Sequence, residues 1–110
     1  MSAVLVLTTL AAAADTAALA RTLVEERLAA CVNVLPEMQS FYRWKGSVEA
    51  DAERQLVIKT TAERIVDLQE RITALHPYEL PEFLVITASG GTEAYLGWLR
   101  QSVVGDEPAP

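Results

Sequence analysis

The chain has 110 residues, of which 51% are hydrophobic and 22% charged, a composition typical of one globular domain that excludes an intrinsically disordered chain. Its formal net charge of −6 argues against a nucleic-acid or anionic-membrane partner, because both partners require a basic surface. The single cysteine, Cys31, excludes an internal disulfide framework. We expect one domain over residues 1–104 and a disordered tail over 105–110.

The first apolar run predicts a buried strand followed by a helix. Residues 3–14 lack a basic leader and are fewer than the ~20 that cross a bilayer, so we expect a cytoplasmic chain. Within them, residues 4–7 are continuously β-favouring, as in a strand covered on both faces. Asp15 is suited to cap the next helix, whose apolar residues recur at helical spacing.

Two long extended segments predict a β-hairpin that outgrows the domain. They run over about residues 30–44 and 48–60, and Pro36 predicts a bulge or an edge position in the first. At ~3.3 Å per residue each would reach ~40 Å, whereas a compact domain of this length has a radius of gyration near ~13 Å. The overhanging tip carries three aromatic residues, Phe41, Tyr42 and Trp44.

The aromatic tip of this hairpin predicts an oligomer. A single chain would expose these rings beside open strand edges, and soluble proteins rarely leave such surfaces uncovered. Packing on a second copy of the chain would cover both. The alternative is that Pro36 breaks the strand early and the rings fold back onto their own chain.

The second half of the chain predicts a helix, a strand and a short last helix. Residues 60–63 fit a capping box, and the dipeptide at 76–77 ends the helix because a residue before proline avoids the α region. Residues 83–86 are expected to form a buried strand, and residues 89–92 turn the chain into the last helix. The order β-α-β-β-α-β plus a terminal helix indicates an α+β, ferredoxin-like fold with a long central hairpin.

Five segments of the chain form a recognisable series. They are residues 27–33, 42–46, 57–61, 76–82 and 95–99, which read RLAACVN, YRWKG, VIKTT, HPYELPE and YLGWL. In this order they resemble the CutA divalent-cation tolerance family, over roughly residues 3–102 and without large gaps.

The resemblance implies a ferredoxin-like homotrimer whose subunits are locked by the long hairpins. It also implies a role in tolerance to divalent cations, especially copper, with copper binding suggested for some members. Two positions depart from the pattern of enteric members. Thr8 stands where they have a cysteine, and Leu75 where they have the first of two histidines, so only His76 of three suspected ligands is present.

His76 is the candidate metal donor, because imidazole is the commonest side chain that holds Cu²⁺ or Zn²⁺ at neutral pH. Tyr78, Glu79 and Glu82 follow on a loop stiffened by two prolines, so we expect them to line a small preorganised site for copper or another divalent cation. The alternative is that His76 only ends its helix, since one histidine falls short of the three or four ligands of a firm site.

Cys31 and Lys59 are the remaining candidate site residues. Cys31 offers a soft sulfur ligand or a reactive thiol, although unpaired cysteines most often behave as small buried hydrophobes. Lys59 follows three apolar residues on a predicted strand, where it would anchor an anion, pair with Glu79 or Glu82, or form a purely structural ion pair.

Three carboxylates alternate along the second strand of the hairpin, at Glu49, Asp51 and Glu53, and therefore share one face. Hard cations prefer oxygen ligands, but a row along one strand diverges instead of converging on a point. A solvated face that discourages edge pairing is the favoured interpretation.

Three functions remain open at this point. The leading hypothesis is a trimeric metal-response protein that binds divalent cations weakly; no nucleophile elbow, metalloprotease helix or dinucleotide motif indicates an enzyme. The alternative is a signalling module similar to the P-II proteins, which would bind a small anionic ligand between subunits. The third is a structural trimer whose partner is another protein.

Overall fold

The computed structural model of the chain describes residues 2–76 and 78–104, so the predicted tail over 105–110 lies outside the described residues. The elements follow in this order: β1 (Ala3–Ala11), α1 (Thr16–Glu25), β2 (Cys31–Val34), β3 (Met38–Trp44), β4 (Ser47–Thr61), α2 (Ile65–Leu75), β5 (Leu84–Thr87) and α3 (Glu93–Ser102). A 3₁₀ turn, Ala62–Arg64, leads into α2. Among the described residues no helix has the length and apolar character needed to cross a membrane.

β4 is the central strand of one antiparallel sheet. β1 runs along one edge of it, from Ala3 opposite Thr61 to Ala11 opposite Glu53. β2 and β3 share the other edge of β4, and β5 pairs with the far edge of β1. The sheet order β5-β1-β4-β2 confirms the α+β, ferredoxin-like arrangement.

One face of the sheet is covered by α1 and α2. Alternate residues of β1 and β4 point to this side and are buried, because successive side chains of a strand face opposite ways. They pack with apolar residues of both helices in one core: Val4, Val6, Leu10, Leu19, Leu23, Leu56, Ile58, Leu68 and Ile72. Burying each such side chain contributes roughly 1.5–3 kcal/mol before the entropy of ordering is subtracted.

The strand predicted over about 30–44 is two strands with a bulge between them. Val34 lies opposite Leu56 and Met38 lies opposite Glu53, so three residues on one strand face two on β4. One residue is therefore extra, which is the geometry of a β-bulge. Pro36 lies at this point, which confirms the predicted bulge and corrects the predicted continuous strand, because proline cannot donate to the ladder.

The hairpin does overhang the body of the domain. β1 ends opposite Glu53, so residues 47–52 of β4 pair in the ladder with β3 alone. The described chain measures 53 × 26 × 23 Å, with a radius of gyration of 15.0 Å. A compact domain of this length would have about 13 Å. The part of the hairpin made by β3 and residues 47–52 is called the arm below.

Two helix ends are confirmed as predicted. Asp15 caps α1, since its Oδ1 accepts a hydrogen bond of 3.0 Å from the main-chain nitrogen of Ala18. α2 ends at Leu75, and His76 has left the helical region with ψ at 132°. Both ends depend on local chemistry, which is why the sequence predicts them.

The predicted capping box at 60–63 is wrong. The hydroxyl of Thr60 instead donates to the main-chain oxygen of Leu28 at 2.8 Å. Thr61 precedes the 3₁₀ turn but makes no side-chain cap. The hydroxyl of Thr60 is thus engaged within the sheet, and that of Thr61 is buried at the end of β4, so neither caps the helix.

The predicted buried strand at 83–86 is also corrected. The observed strand, Leu84–Thr87, is exposed at every position. β5 is an edge strand that pairs with β1 alone, so its other edge is open. Its apolar residues are therefore only partly covered within the described part of the chain, with Leu84, Val85 and Ile86 57%, 42% and 46% exposed.

Two threonines bury hydroxyls that have no hydrogen-bond partner among residues 2–76 and 78–104. They are Thr8 on β1 and Thr61 on β4, both 0% exposed. Thr60 is equally buried, but its hydroxyl is bonded. A buried polar group without a partner costs stability, whereas a bonded one contributes to it.

We predict opposite effects for one chemical change at two neighbouring sites. Thr8→Val keeps the shape and removes the orphan hydroxyl, so it should raise the free energy of unfolding by about 1 kcal/mol. Thr60→Val removes a bonded hydroxyl and leaves the oxygen of Leu28 with one partner fewer, so it should lower that free energy by about 1 kcal/mol. Urea unfolding of the three proteins measures both, and a loss of stability in Thr8→Val would contradict the interpretation.

Candidate functional site

A groove of about 1110 Å³ lies between the arm and the loop that follows α2. The arm contributes Tyr42 and Asp51, and Glu53 follows on β4 where the arm joins the body of the domain. Their side chains share one face because they lie at alternate positions of β3 and β4. The loop contributes Tyr78, Glu79 and Glu82 from the opposite side. Four carboxylates and two phenols thus line one groove.

Glu53 and Tyr78 join the loop to the sheet. The hydroxyl of Tyr78 donates to Oε2 of Glu53 at 2.8 Å, and Glu53 is only 7% exposed. The pKa of Tyr78 is raised above its usual 10.0, first by burial and then by the hydrogen bond and charge of Glu53. The phenol therefore keeps its proton at neutral pH and remains the donor to this buried carboxylate.

Tyr42 and Asp51 form a second phenol–carboxylate pair, across the arm. The hydroxyl of Tyr42 donates to Oδ2 of Asp51. This bond, together with partial desolvation and the neighbouring acidic charges, raises the pKa of Tyr42 to about 12. The pair is exposed, so it is accessible from the groove.

Gln55 fixes the other end of the loop. Its Nε2 lies 2.7 Å from the main-chain oxygen of Thr8 and 3.0 Å from Oε2 of Glu82. The side-chain amide can donate two hydrogen bonds, so one residue of β4 holds both β1 and the loop. Sequence analysis overlooked Gln55, although its position two residues after Glu53 on the same strand face was a usable signal.

His76 is buried, with 7% exposure, and both of its ring nitrogens are engaged. Nε2 lies 2.6 Å from the main-chain oxygen of Thr9, and Nδ1 lies 3.1 Å from the main-chain nitrogen of Tyr78. A carbonyl only accepts, so Nε2 carries the proton and Nδ1 accepts from Tyr78. A metal ion could bind the ring only after one of these bonds breaks.

Cys31 and Lys59 lie elsewhere on the sheet. They face each other across β2 and β4, and Leu5 of β1 is the other partner of Lys59. Lys59 is four residues from Gln55 along β4, about 13 Å at the rise of a strand. The structure therefore separates this pair from the loop residues that it brings together.

The acidic loop residues contact other partners than the predicted lysine. Glu79 lies 3.9 Å from the ammonium of Lys45, and Glu82 is bound by Gln55. Within the described residues no three His, Cys, Asp or Glu side chains are close enough together to hold one metal ion. The carboxylates face a common groove without converging on a point.

The arrangement of aromatic residues settles part of the sequence argument. Residues 41, 42 and 44 all border the groove. By the alternation of β3, Tyr42 and Trp44 share one face of the arm and Phe41 lies on the other, where it is 69% exposed. The alternative in which Pro36 ends the hairpin early and the rings fold back is not what the structure shows, because β3 pairs with β4 as far as Trp44 and Tyr42 is 40% exposed.

The solvated face predicted for Glu49, Asp51 and Glu53 is confirmed for the first two, which are exposed. It is wrong for Glu53, which is 7% exposed. Asp51 and Glu53 also line the groove.

Comparison with known proteins assigns the chain to a family. The family described as CutA1 divalent ion tolerance protein matches residues 4–102. The divalent-cation tolerance protein CutA of Thermus thermophilus is 49% identical over 84 residues, which are 76% of this chain and 82% of that protein. A solved structure of Cut A1 from this organism has a TM-score of 0.88 at 44% identity and covers 91% of this chain and 97% of that chain.

Two further relatives have names that state a cellular compartment. The chloroplastic CutA of Arabidopsis thaliana is 43% identical over 84 residues, which are 76% of this chain and 46% of that protein. The structure of the periplasmic CutA of Archaeoglobus fulgidus has a TM-score of 0.88 at 28% identity and covers 93% of this chain and 99% of that chain. The match spans about half the length of the plant and mammalian relatives.

The predicted cytoplasmic location is wrong as an inference from these residues. The Arabidopsis and Archaeoglobus relatives are described as chloroplastic and periplasmic. A single cysteine and an acidic composition are compatible with each of these compartments, so they do not select one.

The P-II-like alternative gains no support from these comparisons. The groove also argues against it, because a phosphate needs converging cations and four carboxylates line this groove.

Loss of the Tyr78 hydroxyl should destabilise the fold. Tyr78→Phe leaves the buried carboxylate of Glu53 without its donor, so we expect the free energy of unfolding to fall by about 1–3 kcal/mol. Tyr42→Phe is the matched control, because Asp51 is exposed and water can replace the phenol; its effect should be smaller. Urea unfolding at neutral pH compares the two, and equal effects would contradict the role assigned to Tyr78.

The same variants should differ in alkaline solution. A phenol whose pKa is raised on folding contributes stability that is complete below the unfolded value of 10.0 and is lost as pH rises through the folded value. Wild type should therefore lose stability above pH 10.0, and the double variant Tyr42→Phe/Tyr78→Phe should lose less over the same interval.

Proposed function

The chain belongs to the CutA1 divalent ion tolerance family, and from that premise we propose that it serves tolerance to divalent cations as a homotrimer that binds such ions weakly. The observation that carries the proposal is the groove, in which carboxylates of the arm and of the loop face each other. Oxygen donors of this kind attract divalent cations.

Weak binding follows from incomplete ligation in one chain. No three acidic, histidine or cysteine side chains converge in residues 2–76 and 78–104, whereas a firm site for zinc or copper uses three or four ligands. A neighbouring subunit or water would have to complete the set. Such a site binds and releases ions readily, which suits buffering or sensing.

Copper binding at His76 would require a hydrogen bond of the imidazole ring to break. Copper has high affinity for imidazole nitrogen, and Nδ1 of His76 becomes available when its bond from the Tyr78 main-chain nitrogen breaks. Tyr78 also carries the hydroxyl that binds Glu53, so ion binding at His76 would loosen the loop. This competition supports modest affinity.

The open face of the sheet supports the homotrimer. Opposite the helices, Leu5, Leu7 and Val57 are only half-buried, and Leu84 and Ile86 of β5 are 57% and 46% exposed. α3 covers one end of the sheet, where Leu99 and Val103 pack against Ala3. The remaining apolar strip is a surface that soluble proteins bury against another chain.

The arm adds a second uncovered apolar surface. On the face of the arm opposite to that of Tyr42, Phe41 lies opposite Ala50 and Val48 lies opposite Arg43. Phe41 and Val48 are 69% and 68% exposed. An arm that reaches past its own domain can pack this side on the next subunit, which closes a ring of like copies.

A role without catalysis is part of the proposal. Cys31 and His76 would be the nucleophile and base of an enzyme, but Cys31 lies at the level of Leu5 on the sheet and His76 contacts Thr9. Four residues of strand separate these levels by about 13 Å, which is beyond hydrogen-bond reach.

Metal titration tests the ligands. We expect His76→Ala to weaken Cu²⁺ binding about tenfold, the effect of losing roughly 1.4 kcal/mol, and to leave Mg²⁺ binding unchanged. Glu79→Gln/Glu82→Gln should weaken both ions. Glu70→Gln on α2 is the matched control for charge. Isothermal titration calorimetry measures each constant, and equal Cu²⁺ affinity of wild type and His76→Ala would remove His76 from the site.

Light scattering tests the assembly. Wild type should have three times the chain mass of 12.0 kDa. Ile86→Lys places a charge in the open apolar face and should dissociate the assembly, because an unpaired charge is costly to bury. Val66→Lys on α2 is the matched control, since Val66 is 65% exposed on the helical side. An Ile86→Lys protein with unchanged mass would contradict this interface.

A further inference from the structure

An ammonium group of the chain itself lies at the mouth of the groove. Nζ of Lys45 is 5.5 Å from the centroid of the Trp44 ring and 3.9 Å from Oε2 of Glu79. The side chains of Lys45 and Glu79 are 72% and 76% exposed, so the contact is loose. An alkylammonium thus already lies between an aromatic face and a carboxylate, the pattern by which proteins recognise organic cations.

The same chemistry continues into the groove. Tyr42 and Asp51 lie nearer the body of the domain than Trp44, which is at the tip of the arm. On the loop, Leu80 and Pro81 supply apolar surface. A volume of about 1110 Å³ is ample for a small organic molecule, since ligand pockets measure roughly 300–1,000 Å³. The groove combines aromatic, apolar and negatively charged walls.

The spacing of the carboxylates distinguishes an extended cation from a metal ion. Within residues 2–76 and 78–104 no three His, Cys, Asp or Glu side chains are close enough to hold one metal ion, which needs its ligand oxygens within about 2.0–2.6 Å. The two charges of an aliphatic diamine are separated by a flexible carbon chain. They can each meet a different carboxylate while the chain lies on the aromatic surface.

We propose that this groove binds linear aliphatic diamines and polyamines, with one ammonium at Glu79 and Trp44, where Lys45 now lies, and another at Asp51. Lys45 is then the chain's own competitor for the mouth of the site. The inference goes beyond metal tolerance. It shares the groove carboxylates with the proposed ion site, but it involves neither His76 nor the convergence of ligands on one ion.

The hydrogen bonds of the groove leave suitable acceptors. Tyr42 donates to Oδ2 of Asp51, so the other oxygen of this exposed carboxylate remains available, and Gln55 similarly engages only Oε2 of Glu82. Glu53 is 7% exposed beneath Tyr78 and serves the structure of the groove instead. Asp51, Glu79 and Glu82 are the ligand-binding carboxylates.

Calorimetric titration of the full chain with putrescine and spermidine tests the proposal. Lys45→Met retains an apolar stem but removes the competing charge, so it should tighten binding about twofold to fivefold, the range expected for one exposed ion pair. Glu79→Gln and Asp51→Asn should each weaken binding by a similar factor. Glu70→Gln on α2 removes the same charge outside the groove and should bind like wild type.

Two other probes separate recognition of a diamine from general attraction of cations. Butane-1,4-diol has the length of putrescine without charge and should not bind. Mg²⁺ has the charge without the carbon chain, and its binding should not respond to Trp44→Leu, whereas putrescine binding should weaken.

Absence of diamine binding, or equal binding by wild type, Lys45→Met, Glu79→Gln and Glu70→Gln, would overturn the proposal. The Cu²⁺ titration of His76→Ala is independent of either result.

Discussion

The fold depends on one strand that is longer than its neighbours. β4 has 15 residues, and β1 accompanies only the last nine of them, from Glu53 to Thr61. The first six residues of β4 must therefore leave the body of the domain with β3 as their ladder partner. The arm, the groove beside it and the edge of the arm that β1 leaves unpaired all follow from this mismatch in length.

The two faces of the sheet are the basis on which we propose an assembly of several chains. The helical side is closed by a core in which Val6, Leu23, Leu56 and Ile58 have no exposed surface. The other side has α3 at one end and half-buried apolar residues over the rest. The groove is incomplete in a similar way, because within the described residues its metal-donor side chains do not converge on one ion. Both surfaces are suited to completion by another copy, which is why we treat the assembly as the functional unit.

The sequence predicted what local chemistry decides. The Asp15 cap, the helix end at His76 and the bulge at Pro36 each depend on a few neighbouring atoms. The site depended on contacts between distant residues, such as His76 with Thr9, 67 positions away, and Gln55 with Glu82. No periodicity encodes such pairs. The exposure of β5 could not be predicted either, because an apolar strand has the same sequence pattern whether or not its own chain covers it.

The central claim is that neither the apolar face nor the cation site is complete in one chain. Native mass spectrometry at decreasing protein concentration, with the Cu²⁺ content of each species counted, tests it most directly. The account predicts that three-chain species persist on dilution and retain the ion, and that any single chains are free of it. A stable single chain of 12.0 kDa that holds Cu²⁺ as firmly as larger species would contradict the account.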